Sequence, residues 1–134
     1  RRMSIFVDTS AFIAYLNRDD RYHTAAVRTM QAVAQQETQL ISTSYTLLET
    51  AALIQRRLGL SALHDFQDAI VPLLTVVWVD AALHELGITA VLTANRRELS
   101  LVDCISFIIC RQRHIEQVLA FDQHFAEQGF NLLT

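Results

Sequence analysis

Four acidic residues stand where predicted strands end or where predicted helices begin. They are Asp8, Glu49, Asp103 and Asp122. Carboxylates that gather within a few ångströms of one another raise one another's pKa and repel unless a cation neutralises them. A hard divalent ion held by oxygen ligands is the usual remedy, so these acids, if they meet, predict a Mg²⁺ or Mn²⁺ site.

Asp103 is the least expected of the four acids, because its helix is apolar on nearly every side. The stretch 100–110 reads SLVDCISFIIC, which is typical of a helix inside a domain. An ionised carboxylate there needs a partner or access to water and cations. Ser100 is a good N-cap and places Asp103 in the first turn, so a capping box and a metal site both remain open.

Taken singly, each of the other acids also has a simple structural explanation. Asp8 and Asp122 fit N-caps, and Glu49 fits a solvated helix face. These explanations weaken when the acids are considered together, because parallel strands bring their carboxyl ends to one edge of a sheet, where ligands bind. We therefore expect the four acids to share one site.

Strands and helices alternate along the chain. Strands are predicted at 4–7, 40–43, 73–79, 117–121 and 130–133, and helices at 11–16, 24–36, 47–58, 62–70, 81–92, 100–110 and 123–128. Most of the strands are too apolar for a solvent face, which favours parallel strands between helical layers. We predict an α/β fold, a three-layer α/β/α sandwich with a mostly parallel central sheet. Gly87 weakens the helix 81–92, and Trp78 and Phe107 are expected in the core.

Length and composition predict one domain. The chain has 134 residues, 51% of them hydrophobic, with only three glycines and one proline. We expect a single domain over residues 3–134, with Arg1 and Arg2 as leader residues before Met3. The net charge of -3 provides no general basic field, so any contact with nucleic acid must be local. No apolar run is long enough to cross a bilayer, and we expect a soluble, cytoplasmic protein.

Two enzyme classes that also gather acids at strand ends are disfavoured by the basic residues, all eleven of which are arginine. Receiver domains and haloacid-dehalogenase-like phosphatases rely on a lysine near the phosphorylated aspartate. The phosphatases also require Asp-x-Asp after the first strand, where this chain has Asp8-Thr9-Ser10. Neither class fits.

The segments around the four acids resemble those of PIN-domain ribonucleases, specifically the VapC-like toxins of bacterial toxin–antitoxin pairs. The matching segments are VDTSAFIAYLNRDDRYH at 7–23, TLLETAALI at 46–54, LSLVDCISFIICR at 99–111 and VLAFDQHF at 118–125. Their order, spacing and flanking residues agree from Met3 to Thr134. By position, the resemblance implies that the metal-binding, catalytic acids are Asp8, Glu49, Asp103 and Asp122, with Thr9 or Ser10 as a polar helper.

The resemblance also implies a function. A PIN-like toxin would be a Mg²⁺- or Mn²⁺-dependent endoribonuclease that hydrolyses RNA phosphodiester bonds, forms a homodimer and is inhibited by a cognate antitoxin. One position departs from the family pattern, because Ala120 stands where Thr or Ser is often found. That departure keeps an alternative open, a catalytically weak PIN-fold module that acts through contacts with a protein partner.

Two further groups of side chains are weaker candidates. Arginine binds phosphate well, and we expect one or two of six arginines to contact RNA, with Arg18 and Arg21 the first choices. The others are Arg96, Arg97, Arg111 and Arg113. No spacing pairs His23, His114 and His124 for metal-independent acid–base cleavage, so surface positions are expected for these histidines.

Overall fold

A five-stranded parallel sheet forms the centre of the computed structural model, which describes residues 3–133. The strands are β1 (Ser4–Val7), β2 (Gln39–Thr43), β3 (Leu74–Val77), β4 (Gln117–Leu119) and β5 (Asn131–Leu132). Their order is β3-β2-β1-β4-β5, and every neighbouring pair is parallel. The predicted α/β class and parallel sheet are confirmed, and the carboxyl ends of β1 and β4 lie side by side.

Within residues 3–133, seven α-helices connect and cover the strands. They are α1 (Thr9–Leu16), α2 (His23–Ala34), α3 (Ser44–Arg57), α4 (Leu60–Asp65), α5 (Ala81–Ala94), α6 (Leu101–Gln112) and α7 (Gln123–Glu127). The side chains of β1 show how the layers form, since successive residues of a strand point to opposite faces. Ile5 and Val7 belong to a buried cluster with Ile54 of α3, whereas Phe6 belongs to a second cluster with Phe107 of α6. The sheet is therefore the middle of three layers.

Two predicted elements have different bounds in the structure, and one predicted core residue is exposed. The predicted helix 62–70 divides into α4 and a π-helical turn, Phe66–Ile70, followed by a 3-10 turn that contains Pro72. The predicted strand 73–79 is paired only over Leu74–Val77, because β3 lies at the edge of the sheet and the chain leaves it there. Trp78 is consequently 74% exposed rather than in the core, whereas Phe107 is buried as expected.

No helix within residues 3–133 combines the length and the apolar character needed to cross a membrane. The leader residues Arg1 and Arg2 and the predicted last domain residue, Thr134, lie outside the described residues.

Gly87 explains how α5 lies so close to α6, the helix that carries Asp103. A Cβ atom added to this buried glycine would lie 2.4 Å from Cδ1 of Ile105 and 2.9 Å from Cδ1 of Leu101. Both partners belong to α6, and Ile105 is fully buried. The glycine that weakens the helix as an isolated segment is therefore required by the contact between the two helices.

The substitution Gly87→Ala should lower the free energy of unfolding by about 1–3 kcal/mol, because the added methyl group overpacks the contact with α6. An open helix would instead gain about 1 kcal/mol from the same change. Equilibrium unfolding in urea measures the difference.

Thr89→Ala is the matched control, because Thr89 is exposed on the same helix and its replacement should be neutral or slightly stabilising. Adding Ile105→Val to Gly87→Ala removes the Cδ1 atom that the new methyl group meets, so the double variant should recover part of the loss. Strictly additive effects of the two changes would contradict the steric explanation.

Candidate active site

The four acids line one cleft of about 490 Å³ at the carboxyl edge of the sheet. Asp8 and Asp122 follow β1 and β4, Glu49 lies on α3, and Asp103 lies in the first turn of α6. Side chains that are separated by as many as 114 positions in the sequence are thus brought to one place. Carboxylates gathered in one cleft repel one another and favour a cation between them.

Asp8 is the most buried of the four acids, with 4% of its surface exposed. It is the N-cap of α1, and its Oδ2 atom accepts hydrogen bonds from the backbone N–H of Ser10 at 3.1 Å and from the Ser10 hydroxyl at 2.7 Å. Burial raises the pKa of Asp8 to about 6; the Ser10 bonds oppose this rise, and the charges of Asp103 and Asp122 add to it. The Ser10 hydrogen bonds hold the carboxylate in place, while burial disfavours its ionised form.

Ser10 connects Asp8 to the end of β4. Its hydroxyl donates to Asp8 and accepts a hydrogen bond from the backbone N–H of Phe121 at 2.9 Å. Phe121 immediately precedes Asp122, so one serine fixes the positions of two of the acids. Ala120, the departure from the family pattern, is fully buried among apolar side chains and does not line the cleft.

Thr9 has a different partner from Ser10. Its hydroxyl donates to the backbone carbonyl of Thr46 at 3.4 Å and accepts from the hydroxyl of Thr50 at 3.0 Å, and all three residues are buried. Thr46 and Thr50 flank Glu49 on α3. These bonds fix the rotation of α3 and thereby turn half-buried Glu49 towards the cleft.

Asp103 forms the capping box that its sequence predicted, and its side chain also lines the cleft. Its backbone N–H donates to the Ser100 hydroxyl at 3.0 Å, and its Oδ2 atom accepts from the Ser100 backbone N–H at 3.2 Å, which completes a capping box. The same side chain, 13% exposed, lines the cleft. Burial is the main cause of its raised pKa, and the charges of Asp122 and Glu49 raise it further.

Asp122 caps α7 and has a histidine beside it. Its Oδ1 atom accepts the backbone N–H of His124 at 2.8 Å, and the Nδ1 atom of His124 lies 3.1 Å from that oxygen and 3.8 Å from Oδ2 of Asp103. The expectation that His124 is an isolated surface histidine was wrong, since only 22% of its side chain is exposed. The sequence feature that could have indicated its place beside the acids is its position two residues after Asp122, in the first turn of a helix.

Basic and aromatic side chains form the rim. Arg18 and Arg21 are exposed and do not line the cleft, although the Arg21 guanidinium lies 4.8 Å from the centre of the Tyr22 ring. Tyr22 stacks on Phe121 with 4.7 Å between ring centres, and both rings line the cleft.

Sequence reasoning missed Arg57 as a lining residue of this cleft. Arg57 lies eight residues after Glu49 on α3, a spacing that places both side chains on one face of a helix. That spacing was the available signal.

The donor set suits a divalent cation. Among the described residues, Asp103, Asp122 and His124 offer ligand atoms that all lie within 4.8 Å of one another, close enough for a single ion. Carboxylate oxygens bind hard cations such as Mg²⁺ and Mn²⁺. An ion would also offset the repulsion between the acids, which adds to the effect of burial in raising the pKa of Asp8 and Asp103.

The sequence and the fold both match known proteins. The family model for the PIN domain matches residues 5–131. The 23S rRNA-specific endonuclease VapC20 of Mycobacterium tuberculosis is 35% identical over 129 residues, which cover 94% of this chain and 95% of the relative. The crystal structure of VapC20, described as a toxin that cleaves the Sarcin-Ricin loop, superposes with a TM-score of 0.84 at 31% identity, covering 95% of this chain and 96% of that one.

FitAcB from Neisseria gonorrhoeae has the same fold, with a TM-score of 0.69 at 14% identity, covering 97% of this chain and 96% of that chain. The resemblance inferred from the four acidic segments is therefore confirmed by a family model that spans nearly the whole chain and by a relative of matching length. This chain belongs to the PIN-domain family.

Proposed function

We propose that this protein is a divalent-metal-dependent endoribonuclease that acts as the toxin of a toxin–antitoxin pair. The observation that carries this proposal is the meeting of four acids from distant parts of a PIN-domain chain in one cleft. The 35% identity to an endonuclease of nearly equal length supports ribonuclease activity directly.

Each acid has a role in the proposal. Asp8, Asp103 and Asp122 hold Mg²⁺ or Mn²⁺, and Glu49 binds the metal or orients the attacking water. When bound, the ion activates water and stabilises charge on the phosphate oxygens. Ser10 holds the Asp8 carboxylate by its two hydrogen bonds, and the chain needs no nucleophile of its own.

The RNA is held by local groups, because the whole chain carries a net charge of -3. Arg57 lines the cleft itself, and Arg21 lies beside Tyr22 on its rim. Arginine at these positions would contact phosphates on either side of the bond to be cut. Arg18 is exposed and remains a weaker candidate for the same role.

Ribosomal RNA is the substrate class that we propose, since the curated relative is named a 23S rRNA-specific endonuclease. We further propose a cytoplasmic location, a homodimer and a cognate antitoxin that covers the cleft. Several large apolar side chains are exposed and would suit such protein contacts, including Leu48, Leu73, Trp78, Leu86 and Leu92.

The alternative of a catalytically weak binding module gains no support from the site. It depended on Ala120, whose side chain lies in the core and not in the cleft. Calorimetric titration with Mn²⁺ and an RNA cleavage assay separate the two functions, because metal binding without cleavage of any RNA tested would favour the binding module.

Asp8→Asn and Asp103→Asn should each reduce metal-dependent cleavage of 23S rRNA by at least roughly 100-fold, because the loss of an outer-sphere partner alone typically costs 10–100-fold. Both variants should retain a cooperative thermal transition, since asparagine can accept the capping hydrogen bonds.

Asp68→Asn is the matched control, because Asp68 is exposed and does not line the cleft. It should cleave as the wild type does. Excess chelator should abolish cleavage by the wild type, and Mg²⁺ should restore it. Full activity in a cleanly purified Asp8 or Asp103 variant would overturn the proposed roles.

The metal-free protein should become more stable when Asp8 is replaced by asparagine, and the gain should depend on pH. The pKa of Asp8 rises from 3.8 to about 6 on folding, so its contribution to stability is favourable only at low pH and is lost as pH rises through about 6. A shift of this size corresponds to roughly 3 kcal/mol above that pH. Urea unfolding in chelator should show a small gain near pH 4.5 and the full gain at pH 8.

Saturating Mg²⁺ should make the wild type more stable than Asp8→Asn. The ion binds the folded wild type and stabilises it, whereas Asp8→Asn binds the ion weakly. Glu116→Gln is a suitable control, since Glu116 is exposed at the opposite end of β4. A gain in the Asp8 variant that does not change between pH 4.5 and pH 8 would contradict the role of burial.

A further inference from the structure

His124 is a histidine that lies beside two of the cleft acids, Asp103 and Asp122. The other four histidines are placed differently: the Nδ1 atom of His23 contacts the carbonyl of Ala14, that of His84 contacts the hydroxyl of Tyr45, and His64 and His114 are exposed. The Nδ1 atom of His124 is buried between Asp103 and Asp122. A nitrogen donor therefore stands beside two oxygen donors.

The Nδ1 atom of His124 has no hydrogen-bond partner within residues 3–133. It lies 3.1 Å from Oδ1 of Asp122, but the two groups are not aligned as a hydrogen bond. Leaving a buried polar group without a hydrogen-bond partner is unfavourable, and a bound ion is one of the explanations of such a group in a native structure. A cation between the three side chains would supply that partner.

We infer that His124 is a metal ligand, and that its Nδ1 atom joins Asp103 and Asp122 in a mixed nitrogen and oxygen site. This inference rests on the proposed metal-dependent nuclease site and adds a residue to it. The three ligand atoms lie within 4.8 Å of one another, as ligands of a single ion must. Asp8 and Glu49 line the same cleft and remain available for the rest of the coordination shell or for a second ion.

A nitrogen ligand changes which ion the site prefers. Mg²⁺ favours carboxylate and water ligands, whereas imidazole suits first-row transition ions. The mixed donor set therefore favours Mn²⁺ over Mg²⁺ more than a site of carboxylates alone would. His124, and not the four acids, is therefore the source of this added preference for Mn²⁺.

Pulsed electron paramagnetic resonance of the Mn²⁺-loaded protein tests the inference without any substitution. The wild type should show the coupling of a directly bound ¹⁴N nucleus. When the protein is made with ¹⁵N-labelled histidine, the coupling should change to that of ¹⁵N, which identifies the ligand as an imidazole. Loss of the signal in His124→Gln, with retention in His64→Asn, assigns it to His124.

Calorimetry on the same proteins supplies a second readout. His124→Gln should raise the Kd for Mn²⁺ by roughly 10-fold and leave the Kd for Mg²⁺ within about 3-fold, since only the transition ion gains from the imidazole. His64→Asn should change neither constant, because His64 is exposed on α4. Equal losses for both ions would indicate a merely structural role for His124 and would overturn the inference.

The outcomes also separate this inference from the nuclease proposal. Saturating Mn²⁺ without nitrogen coupling overturns the role of His124, and RNA cleavage can persist in that case. Histidine coupling without cleavage of RNA supports the ligand and contradicts the nuclease. Failure of the protein to bind Mn²⁺ or Mg²⁺ overturns both.

Discussion

The structure depends on holding several negative charges together at a partly buried edge of the sheet. Desolvation and mutual repulsion both disfavour the charged forms, as the raised pKa values of Asp8 and Asp103 show. Backbone N–H groups oppose that cost. Asp8, Asp103 and Asp122 each accept a hydrogen bond from a backbone amide at the N-terminus of a helix, where the helix dipole also favours a negative charge. The acids are thus positioned by the same interactions that begin α1, α6 and α7.

This arrangement explains why structural and functional explanations of the acids are not alternatives. A carboxylate has two oxygens and about four acceptor positions, so a capping bond leaves capacity for a cation. In Asp103 the capping box fixes the side chain while the group still lines the cleft. A cap restricts rotamer freedom before any ion binds, which lowers the entropy lost on binding. The capping box, which seemed to compete with the proposed metal site, instead holds Asp103 in place at that site.

A feature could be predicted from the sequence when it depends on a local pattern, and could not when it depends on contacts between distant elements. The apolar runs and the residues after them predicted the parallel sheet and the meeting of four acids at its carboxyl edge, because these depend on local pattern and on general rules of α/β topology. Trp78 was misplaced because an apolar run does not reveal that β3 is an edge strand. The positions of His124 and Arg57 beside the acids were missed because they depend on neighbours supplied by other elements. The need for glycine at position 87 became clear only from the close packing of α5 against side chains of α6.

Two adjacent hydroxyls in the first turn of α1 complete the account of how the site is built. Thr9 is bonded to α3, which carries Glu49, and Ser10 is bonded to Asp8 and to the chain just before Asp122. Buried polar networks of this kind are strong when every member is satisfied, because the surrounding dielectric is low. Because Ser10 already supplies a hydroxyl between the first and fourth acidic segments, an apolar Ala120 can pack into the core without leaving that junction unbonded. The departure from the family pattern is therefore compatible with a fully assembled acidic site.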